Sequence, residues 1–259
     1  AIVVLEYRRL KKLHSTYLLP HAHKERLSGL YRLTTAGDEE EGDDGGTGTG
    51  RLSSYSPNMQ NLHPDLQRCL RAPTNYRLLH ADYSQIELRV AAEVSGDPYL
   101  TKAFREGRNV HIETGEALKL GPSKGKTWNF AVLFGGEEKR LSTVTGWSIP
   151  ETRSAMQAHR KLWPGFYEWA DQHWAQVERT GMSISPPPYL HRRRISRVLR
   201  NADKMAKNHP IQAMAGYITK EAMANIWYEP YRYTFVNQIH DAVQYLVHKN
   251  VLSEVTNRV

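Results

Sequence analysis

The sequence of 259 residues predicts an α+β fold, with antiparallel strands backed by helices. Residues 78–81 form a short apolar run that has the length of a strand and leads into a helical pattern. Residues 233–247 predict two more strands, joined by a tight turn at Asp241. Residues 98–180 are mostly helical in pattern. The long helical segment therefore lies between the two groups of predicted strands.

The remaining elements follow from local patterns along the chain. Residues 1–19 form an amphipathic pattern with Lys11 and Lys12 on its polar side, which predicts a first helix. Residues 37–46 are acidic and rich in glycine, as expected of a mobile loop. Three prolines at 186–188 interrupt the chain before a basic cluster at 191–194. A further helix is expected over residues 208–227.

Composition narrows the class of partner. Lys and Arg outnumber Asp and Glu by 35 − 27 = 8, and this basic surplus favours a polyanionic partner, either nucleic acid or an acidic membrane surface. The single cysteine, Cys69, excludes an internal disulfide framework and a cysteine-based zinc site, and it fits a reducing compartment. The sequence has no apolar run of membrane-spanning length and opens with no secretory signal. We therefore expect an intracellular protein. No membrane partner is expected, although the basic surplus alone leaves an acidic membrane surface open. Because the sequence opens inside a helix-like pattern, we also expect a fragment of something longer.

Two aspartates occupy strand ends far apart in the sequence. Asp82 closes the first predicted strand, and Asp241 lies between the two later ones. Such residues can meet across an antiparallel sheet and bind two Mg²⁺ ions about 4 Å apart. A pair of this kind activates a hydroxyl, orients a phosphate and stabilises a leaving pyrophosphate. The alternative is that each is an ordinary turn aspartate, and spacing alone leaves that open.

Five segments in a fixed order carry a resemblance to a known family. They are TGRLSS and PNMQN at residues 49–54 and 57–61, DYSQIELR at 82–89, KTWNFAVLFG at 126–135, NHPIQ at 208–212 and QIHD at 238–241. With these segments the chain resembles family A DNA polymerases, the family of bacterial DNA polymerase I. The resemblance covers most of residues 51–247.

The resemblance implies a polymerase palm, made of an antiparallel sheet with helices, and helical fingers. The thumb and exonuclease domain are expected to be largely absent from this chain. The implied division is a connecting helix and acidic loop at 1–46, a first palm part at 47–96, fingers at 97–200 and a second palm part at 201–259. The implied activity is addition of dNTPs to a primer 3′ end by two-metal transfer, with release of pyrophosphate. Its partners are primer-template DNA, dNTPs and two Mg²⁺ ions, for which Mn²⁺ can substitute, and the protein is expected to be monomeric.

The resemblance also assigns roles to individual residues. The catalytic set is Asp82, Asp241 and Lys126, and the metal ligands are Asp82, Tyr83 and Asp241. The nucleotide-binding set is Gln85, Glu87, His111, Lys126, Phe130 and Phe134. The DNA-binding set is Arg51, Asn58, Gln60, Asn208, Gln212, Gln238 and His240.

Side-chain chemistry supports these roles and leaves alternatives open. Lys126, Phe130 and Phe134 are spaced by four residues and share one helix face, although two such phenylalanines are often plain core. The resemblance implies that His111 helps to hold the triphosphate; the alternative is an ordinary solvated histidine at a helix start. Glu87 either excludes a ribose 2′-hydroxyl, as the resemblance implies, or closes a capping box that begins at Ser84.

The DNA-binding set consists mostly of hydrogen-bond donors suited to the minor groove. Every base pair offers acceptors there, so such donors can test pair geometry without reading sequence. The alternative for each amide is a surface or capping role. Lys204, Lys207 and the arginines at 192–194 are expected to meet phosphates, with a solvated basic face as the alternative.

Two departures from the family pattern keep other functions open. Ala242 stands where the family usually has a glutamate, and Pro122 stands where it has an arginine one turn before Lys126. These two positions favour a non-catalytic, polymerase-like DNA-binding remnant or fragment. A single-subunit RNA polymerase is a third interpretation, against which Glu87 argues. The presence of both aspartates together with the lysine favours the enzyme.

Overall fold

A computed structural model describes residues 2–32, 47–227 and 233–259, so the predicted acidic loop at 37–46 lies outside the described residues. The helices are α1 Ile2–Lys12, α2 Pro64–Gln67, α3 Ile86–Ser95, α4 Pro98–Arg105, α5 Val110–Ala117, α6 Pro122–Leu133, α7 Glu138–Thr145, α8 Ile149–Leu162, α9 Pro164–Thr180, α10 Ala202–Trp227 and α11 Leu252–Arg258. The strands are β1 Leu30–Arg32, β2 Ser53–Tyr55, β3 Tyr76–Asp82, β4 Met182–Ile184, β5 Arg192–Arg194, β6 Tyr233–Ile239 and β7 Ala242–His248. Among the described helices, none is both long and apolar enough to cross a membrane.

The chain forms two compact units. The first comprises Ala1–Tyr83 and Ile218–Val259, and the second comprises Ser84–Tyr217. The α+β fold class is confirmed, since the first unit carries an antiparallel sheet and the second is mostly helical. The second unit is wider at both ends than the insertion predicted at 97–200. It includes α3, because that helix packs against α4 and α9.

The sheet of the first unit has three antiparallel strands in the order β3-β7-β6. Alternate residues of β7 face a buried core, with Val243, Tyr245 and Val247 each at most 3% exposed. The last turns of α10 and helix α11 cover that side through Met223, Ile226 and Val255, together with several other partly buried side chains. Because side chains alternate along a strand, the residues between them lie on the opposite face.

An irregularity in β6 sets which of its residues reach that opposite face. Phe235 pairs with Tyr245, whereas Asn237 pairs with Gln244, so one residue of β6 is bulged out. A bulge adds one residue to one strand and inverts the alternation beyond it. Asn237 consequently joins Gln244 on the face away from the core.

The second unit is organised around helices that share a buried cap. The carboxylate of Asp97, which is fully buried, accepts hydrogen bonds from Leu100 N at 2.9 Å and Phe166 N at 3.2 Å. These two amides belong to the first turns of α4 and α9. An aspartate that accepts from orphan amides stabilises a helix start. One side chain therefore holds two helix starts together.

Several predicted boundaries differ from the observed ones. Helix α1 ends at Lys12 and continues as a π-helical turn, Leu13–Leu18, rather than as one helix to residue 19. Helix α10 begins at Ala202, six residues before its predicted start at 208. The basic cluster lies in β5, which pairs with β4 as a three-residue hairpin. Strands of this length are too short for a periodic pattern, so the sequence did not predict them.

Candidate active site

The two predicted metal-binding aspartates lie at the same end of the sheet in the first unit. Asp82, the last residue of β3, pairs with Ala242, the first residue of β7. The amide of Tyr83 donates to the carbonyl of Asp241 at 3.3 Å. Asp82 is exposed and Asp241 is half-buried. The antiparallel register thus brings the two aspartates to neighbouring positions on adjacent strands.

The turn that carries Asp241 is held by a chain of amides. Ile239 pairs with Ala242, so His240 and Asp241 form a two-residue turn, and His240 has a φ of 56° that glycine would favour. The following hydrogen bonds hold this turn: Gln238 Nε2 donates to His240 O, Gln60 Nε2 donates to Gln238 Oε1 at 2.8 Å, and Ser54 N donates to Gln60 Oε1 at 3.0 Å. A strained turn persists when its surroundings fix it.

The sheet face that includes Asp82 is polar. Tyr31 donates its hydroxyl to Asn237 Oδ1, and Asn237 Nδ2 donates to Gln244 Oε1 at 3.1 Å. Gln244 Nε2 lies 3.1 Å from Nδ1 of His80, two residues before Asp82. Burial raises the pKa of the Tyr31 phenol, so this group remains a donor at neutral pH. The sheet therefore has one apolar side and one hydrogen-bonded polar side with a carboxylate at its end.

The donor set at this end fits a hard divalent cation. The carboxylates of Asp82 and Asp241 and the backbone carbonyl of Tyr83 are oxygen donors, which Mg²⁺ prefers. Within the described ranges, no group of three or more His, Cys, Asp or Glu side chains is arranged to hold a metal. Mg²⁺ bound together with substrate phosphates requires only one or two carboxylates, with water completing its shell.

In the second unit, α5 and α6 approach closely at two glycines. A Cβ atom on Gly125 would lie 2.8 Å from Gly115 N and 2.9 Å from Gly115 Cα, and it would overlap the carbonyl oxygen of His111. Only glycine allows two backbones to come this close. The contact places the first turn of α5, with His111, against the helix that carries Lys126.

The predicted nucleotide-binding residues of α6 lie along one face of the helix at a spacing of four residues and are called the α6 ladder: Lys126, Phe130 and Phe134. The rings of Phe130 and Phe134 stack at 5.9 Å between centroids with a 17° interplanar angle. Lys126 Nζ lies 5.9 Å from the centroid of the Phe130 ring, and the centroid of the His111 ring lies 5.4 Å from the same centroid. Both phenylalanines are half-buried, whereas Trp128 on the same helix is fully buried. The structure thus brings four of the six predicted nucleotide-binding residues together on a partly open face.

His111 is buried, so the solvated alternative for this residue is wrong. It is 7% exposed, and burial, with a smaller contribution from the charge of Lys126, lowers its pKa to about 4. Its imidazole is therefore neutral at pH 7. The ring nitrogen Nδ1 lies 3.1 Å from Nδ2 of Asn129.

The other two predicted nucleotide-binding residues lie at the start of α3. Gln85 occupies the N-cap position with a φ of 55°, makes no side-chain cap, and has its Oε1 buried without a hydrogen-bond partner within the described residues. The alternative of a capping box that begins at Ser84 does not match this helix start, because the left-handed Gln85 takes the N-cap position and the helix begins at Ile86. Arg89 Nε instead donates to the carbonyl of Ser84 at 2.9 Å. Glu87 is 8% exposed.

The predicted DNA-binding residues are divided between the units. In the first unit, Asn58 caps a 3₁₀ turn through Gln60 N at 3.0 Å, and Gln60 uses both amide hydrogens on Leu52 O and Gln238 Oε1. Arg51 is half-buried there, and His240 is exposed in the turn. In the second unit, Asn208 and Gln212 lie half-buried on α10. Their contacts with DNA remain predictions.

Three lysines that do not belong to the α6 ladder contact carboxylate or carbonyl oxygens of the protein itself. Lys204 Nζ lies 2.6 Å from a carboxylate oxygen of Glu137, and Lys207 Nζ lies 3.9 Å from one of Asp171. Lys124 Nζ donates to the carbonyl of Thr145 at 3.1 Å, at the end of α7. A lysine at a helix C-terminus satisfies an orphan carbonyl. Lys124 is two residues from Lys126 and so points to a different side of α6.

Two further residues, Gly125 and Asn129, shape this region and were not among those predicted from the sequence. Gly125 is an isolated glycine inside a helical pattern, a signal that often marks close backbone contact. Asn129 is a polar residue in a helix interior, where asparagine is unfavourable unless its side chain has a partner. Both signals were present in the sequence.

The whole chain, residues 1–259, matches the model of DNA polymerase family A. It is 33% identical over 268 residues to the thermostable DNA polymerase I of Thermus filiformis, covering 92% of this chain and 31% of that protein. It is 34% identical over 252 residues to DNA polymerase I of Deinococcus radiodurans, covering 86% of this chain and 25% of that protein. The chain thus spans about a third or less of the length of these relatives.

A solved structure gives a similar result. The chain superimposes on the POL domain of Pol1 from M. smegmatis, in complex with DNA primer-template and dNTP, with a TM-score of 0.81. The sequence identity is 25%, and the match covers 97% of this chain and 47% of the other.

Proposed function

Because the chain belongs to DNA polymerase family A, we propose that it catalyses template-directed addition of dNTPs to a primer 3′ end, with release of pyrophosphate. The pairing of Asp82 with Ala242 carries this proposal, since it makes Asp82 and Asp241 neighbours at one end of the sheet. Two carboxylates so arranged suit in-line displacement at a phosphate. The bound ligands of the M. smegmatis structure, primer-template and dNTP, support the same substrates here.

The residues of the first unit act on the reacting groups. Asp82, Asp241 and the carbonyl of Tyr83 would hold two Mg²⁺ ions, or Mn²⁺ in their place. When bound, these ions lower the pKa of the attacking 3′-hydroxyl and neutralise charge on the leaving pyrophosphate. The hydrogen-bonded turn at His240 keeps the Asp241 carboxylate in place without reorganisation during the reaction.

The residues of the second unit hold the nucleotide. Lys126 neutralises the triphosphate, the neutral His111 donates a hydrogen bond to it, and the exposed side of Phe130 packs on the sugar and base. Glu87 occupies the space that a ribose 2′-hydroxyl would need, which favours deoxynucleotides.

Primer extension across a Mg²⁺ series tests the proposal. Asp82→Asn and Asp241→Asn should each lower the rate at least about a thousandfold, equivalent to about 4 kcal/mol, because a metal-binding charge is lost. Primer-template affinity should stay equal or rise slightly, since negative charge near DNA is removed. Asp65→Asn, an exposed aspartate in α2 of the same unit, is the matched control and should keep the parental rate. Extension by either site variant at more than a tenth of the parental rate contradicts the assignment.

A non-catalytic, polymerase-like DNA-binding protein is the second candidate, which Ala242 and Pro122 favour. The same assay separates the two functions. A parent protein that binds primer-template but extends it in neither Mg²⁺ nor Mn²⁺, and that gains strong activity on Ala242→Glu, is the result expected of this second candidate.

A further inference from the structure

Asn129 occupies an unusual place for a polar residue, since it is fully buried in the middle of α6. Its Nδ2 atom lies 3.3 Å from the carbonyl oxygen of Val110 and 3.1 Å from Nδ1 of His111. Its Oδ1 atom is buried and has no hydrogen-bond partner in the part of the chain that the structure describes. Both contacts of this side chain are thus made by one amide nitrogen.

The Val110 carbonyl fixes which way round the amide lies. A rotation of the amide by 180° would bring Oδ1 against another carbonyl oxygen, and two acceptors repel each other. In the observed orientation Nδ2 has two hydrogens for its two neighbours, the Val110 carbonyl and the His111 ring. Asn129 therefore donates to Nδ1 of His111.

The donated hydrogen bond determines the tautomer of His111. A neutral imidazole carries one hydrogen, and the nitrogen that accepts a hydrogen bond cannot carry it. Because Nδ1 accepts from Asn129, the hydrogen is on Nε2. The other tautomer would place two N–H groups against each other and direct a lone pair from Nε2 at any phosphate nearby.

We propose that Asn129 is a positioning residue that fixes His111 as the Nε2–H tautomer, so that His111 offers an N–H donor to an oxygen of the nucleotide triphosphate. The inference rests on the proposed function, in which His111 contacts the triphosphate. The close contact of Gly125 with Gly115 and with the carbonyl of His111 supports it, since this contact brings Val110 and His111 within reach of Asn129 on α6. Asn129 itself touches no substrate.

The tautomer can be observed without any variant. In ¹⁵N-histidine-labelled protein at pH 7, long-range ¹H–¹⁵N spectra should show His111 neutral, with Nε2 protonated and Nδ1 unprotonated. The His111→Gln protein identifies these signals by their loss. A His111 protonated on Nδ1, or on both nitrogens, overturns the inference.

Two substitutions test the role of Asn129. Asn129→Asp keeps the shape but presents an acceptor, so it should move the His111 hydrogen to Nδ1 or add a second one. Asn129→Ala removes the donor and should give a mixture of tautomers. Thr127→Ala, exposed on the same helix, is the control and should leave the His111 signals unchanged. A parental Nε2–H tautomer in both Asn129 variants, with their folds intact, contradicts the proposal.

Kinetics separate a positioning role from simple packing. Asn129→Ala should raise KM for dNTPs about tenfold and change kcat less than threefold. In a His111→Gln background, where the glutamine amide supplies a fixed N–H near the position of Nε2, the same change should alter KM less than twofold. An equal effect of Asn129→Ala in both backgrounds indicates packing alone and overturns the inference.

Titration with dATP and Mg²⁺, without primer-template, tests the proposed function separately. Bound triphosphate should shift the Nε2 signal of His111. If that signal does not move in a protein with the expected tautomer, the proposed contact of His111 with the nucleotide is wrong. A wrong tautomer in the parent protein instead overturns the positioning inference, whatever dATP does.

Discussion

The position of Asp82 depends on the register of one strand pair. A slip of one residue between β3 and β7 would turn every side chain of β3 to the other face of the sheet. In the observed register, Leu79 and Ala81 pack on the apolar side, so Asp82 shares the polar side with His80. The buried apolar residues therefore determine where the carboxylate lies.

Ala242 offers a test of the electrostatics at this end of the sheet. It is 3% exposed and pairs directly with Asp82, so their side chains lie on the same face. Ala242→Glu should lower the free energy of unfolding more than the equally large Ala242→Gln, by about 1 kcal/mol, because like charges then lie opposite each other. Urea unfolding measures the difference.

Mg²⁺ should reduce the difference in the free energy of unfolding between Ala242→Glu and Ala242→Gln, since the ion offsets the negative charge that the glutamate adds. An equal loss of stability in the two Ala242 variants, with no response to Mg²⁺, would mean that no cation binds beside Asp82. In primer extension, Ala242→Glu should alter the maximal rate of an active parent less than about tenfold, or 1.4 kcal/mol.

Glu87 gives a second prediction about a single residue. Helix α3 starts at Ile86 with Gln85 rather than Ser84 at its N-cap, and Glu87 in its first turn is 8% exposed. Glu87→Ala should raise incorporation of ribonucleotides relative to deoxynucleotides, because the space near the sugar is opened. Glu87→Gln is the matched control, since it keeps the volume and should keep the preference. Competition between rNTP and dNTP in primer extension measures both, and an unchanged preference in Glu87→Ala refutes the steric role.

At the scale of elements, the closest approach in the second unit is that of α5 and α6. Gly125→Ala should lower the free energy of unfolding by about 1–3 kcal/mol, since the added methyl group overlaps backbone atoms of α5 and forces the two helices apart. It should also raise KM for dNTPs, because His111 moves away from Lys126. Ser123→Ala, exposed on the same helix, should change stability by less than about 0.5 kcal/mol. A Gly125→Ala protein with parental stability and KM shows that the helices can separate without consequence.

The elements also show what a sequence can predict. The strand ending at Asp82 and the hairpin at Asp241 follow from apolar runs and turn chemistry, and these act locally. The hairpin β4–β5 and the double cap by Asp97 depend on contacts between residues far apart in the chain, to which local periodicity is insensitive. The same holds for Asn129, whose partners lie on another helix. The family resemblance predicted the candidate site residues, whereas the direction of the hydrogen bond between Asn129 and His111 required the structure.

At the scale of the whole molecule, three neutral histidines are buried in the second unit. Burial lowers the pKa of His159 to about 3 and that of His209 to about 3, and burial with the charge of Lys126 lowers that of His111 to about 4. His209 is also held on both sides, with Nδ1 2.8 Å from Ser183 Oγ and Nε2 2.9 Å from Nδ1 of His191. A second proton on His209 would require both Ser183 and His191 to act as acceptors.

These histidines predict that the protein loses stability in mild acid. A histidine has a pKa of about 6.5 in the unfolded chain, above each folded value, so the unfolded state binds protons first as pH falls. Their contribution to stability is complete above pH 6.5 and is lost as pH falls toward the folded values of about 4 and 3. At pH 5 each histidine lowers the free energy of unfolding by up to about 2 kcal/mol.

Urea unfolding between pH 8 and pH 5 should show this decline in the free energy of unfolding. His159→Asn should reduce the slope by about one proton, whereas His14→Asn, at an exposed position in the first unit, should leave it unchanged. If His159→Asn keeps the full parental slope, then His159 is not a neutral group that burial holds unprotonated.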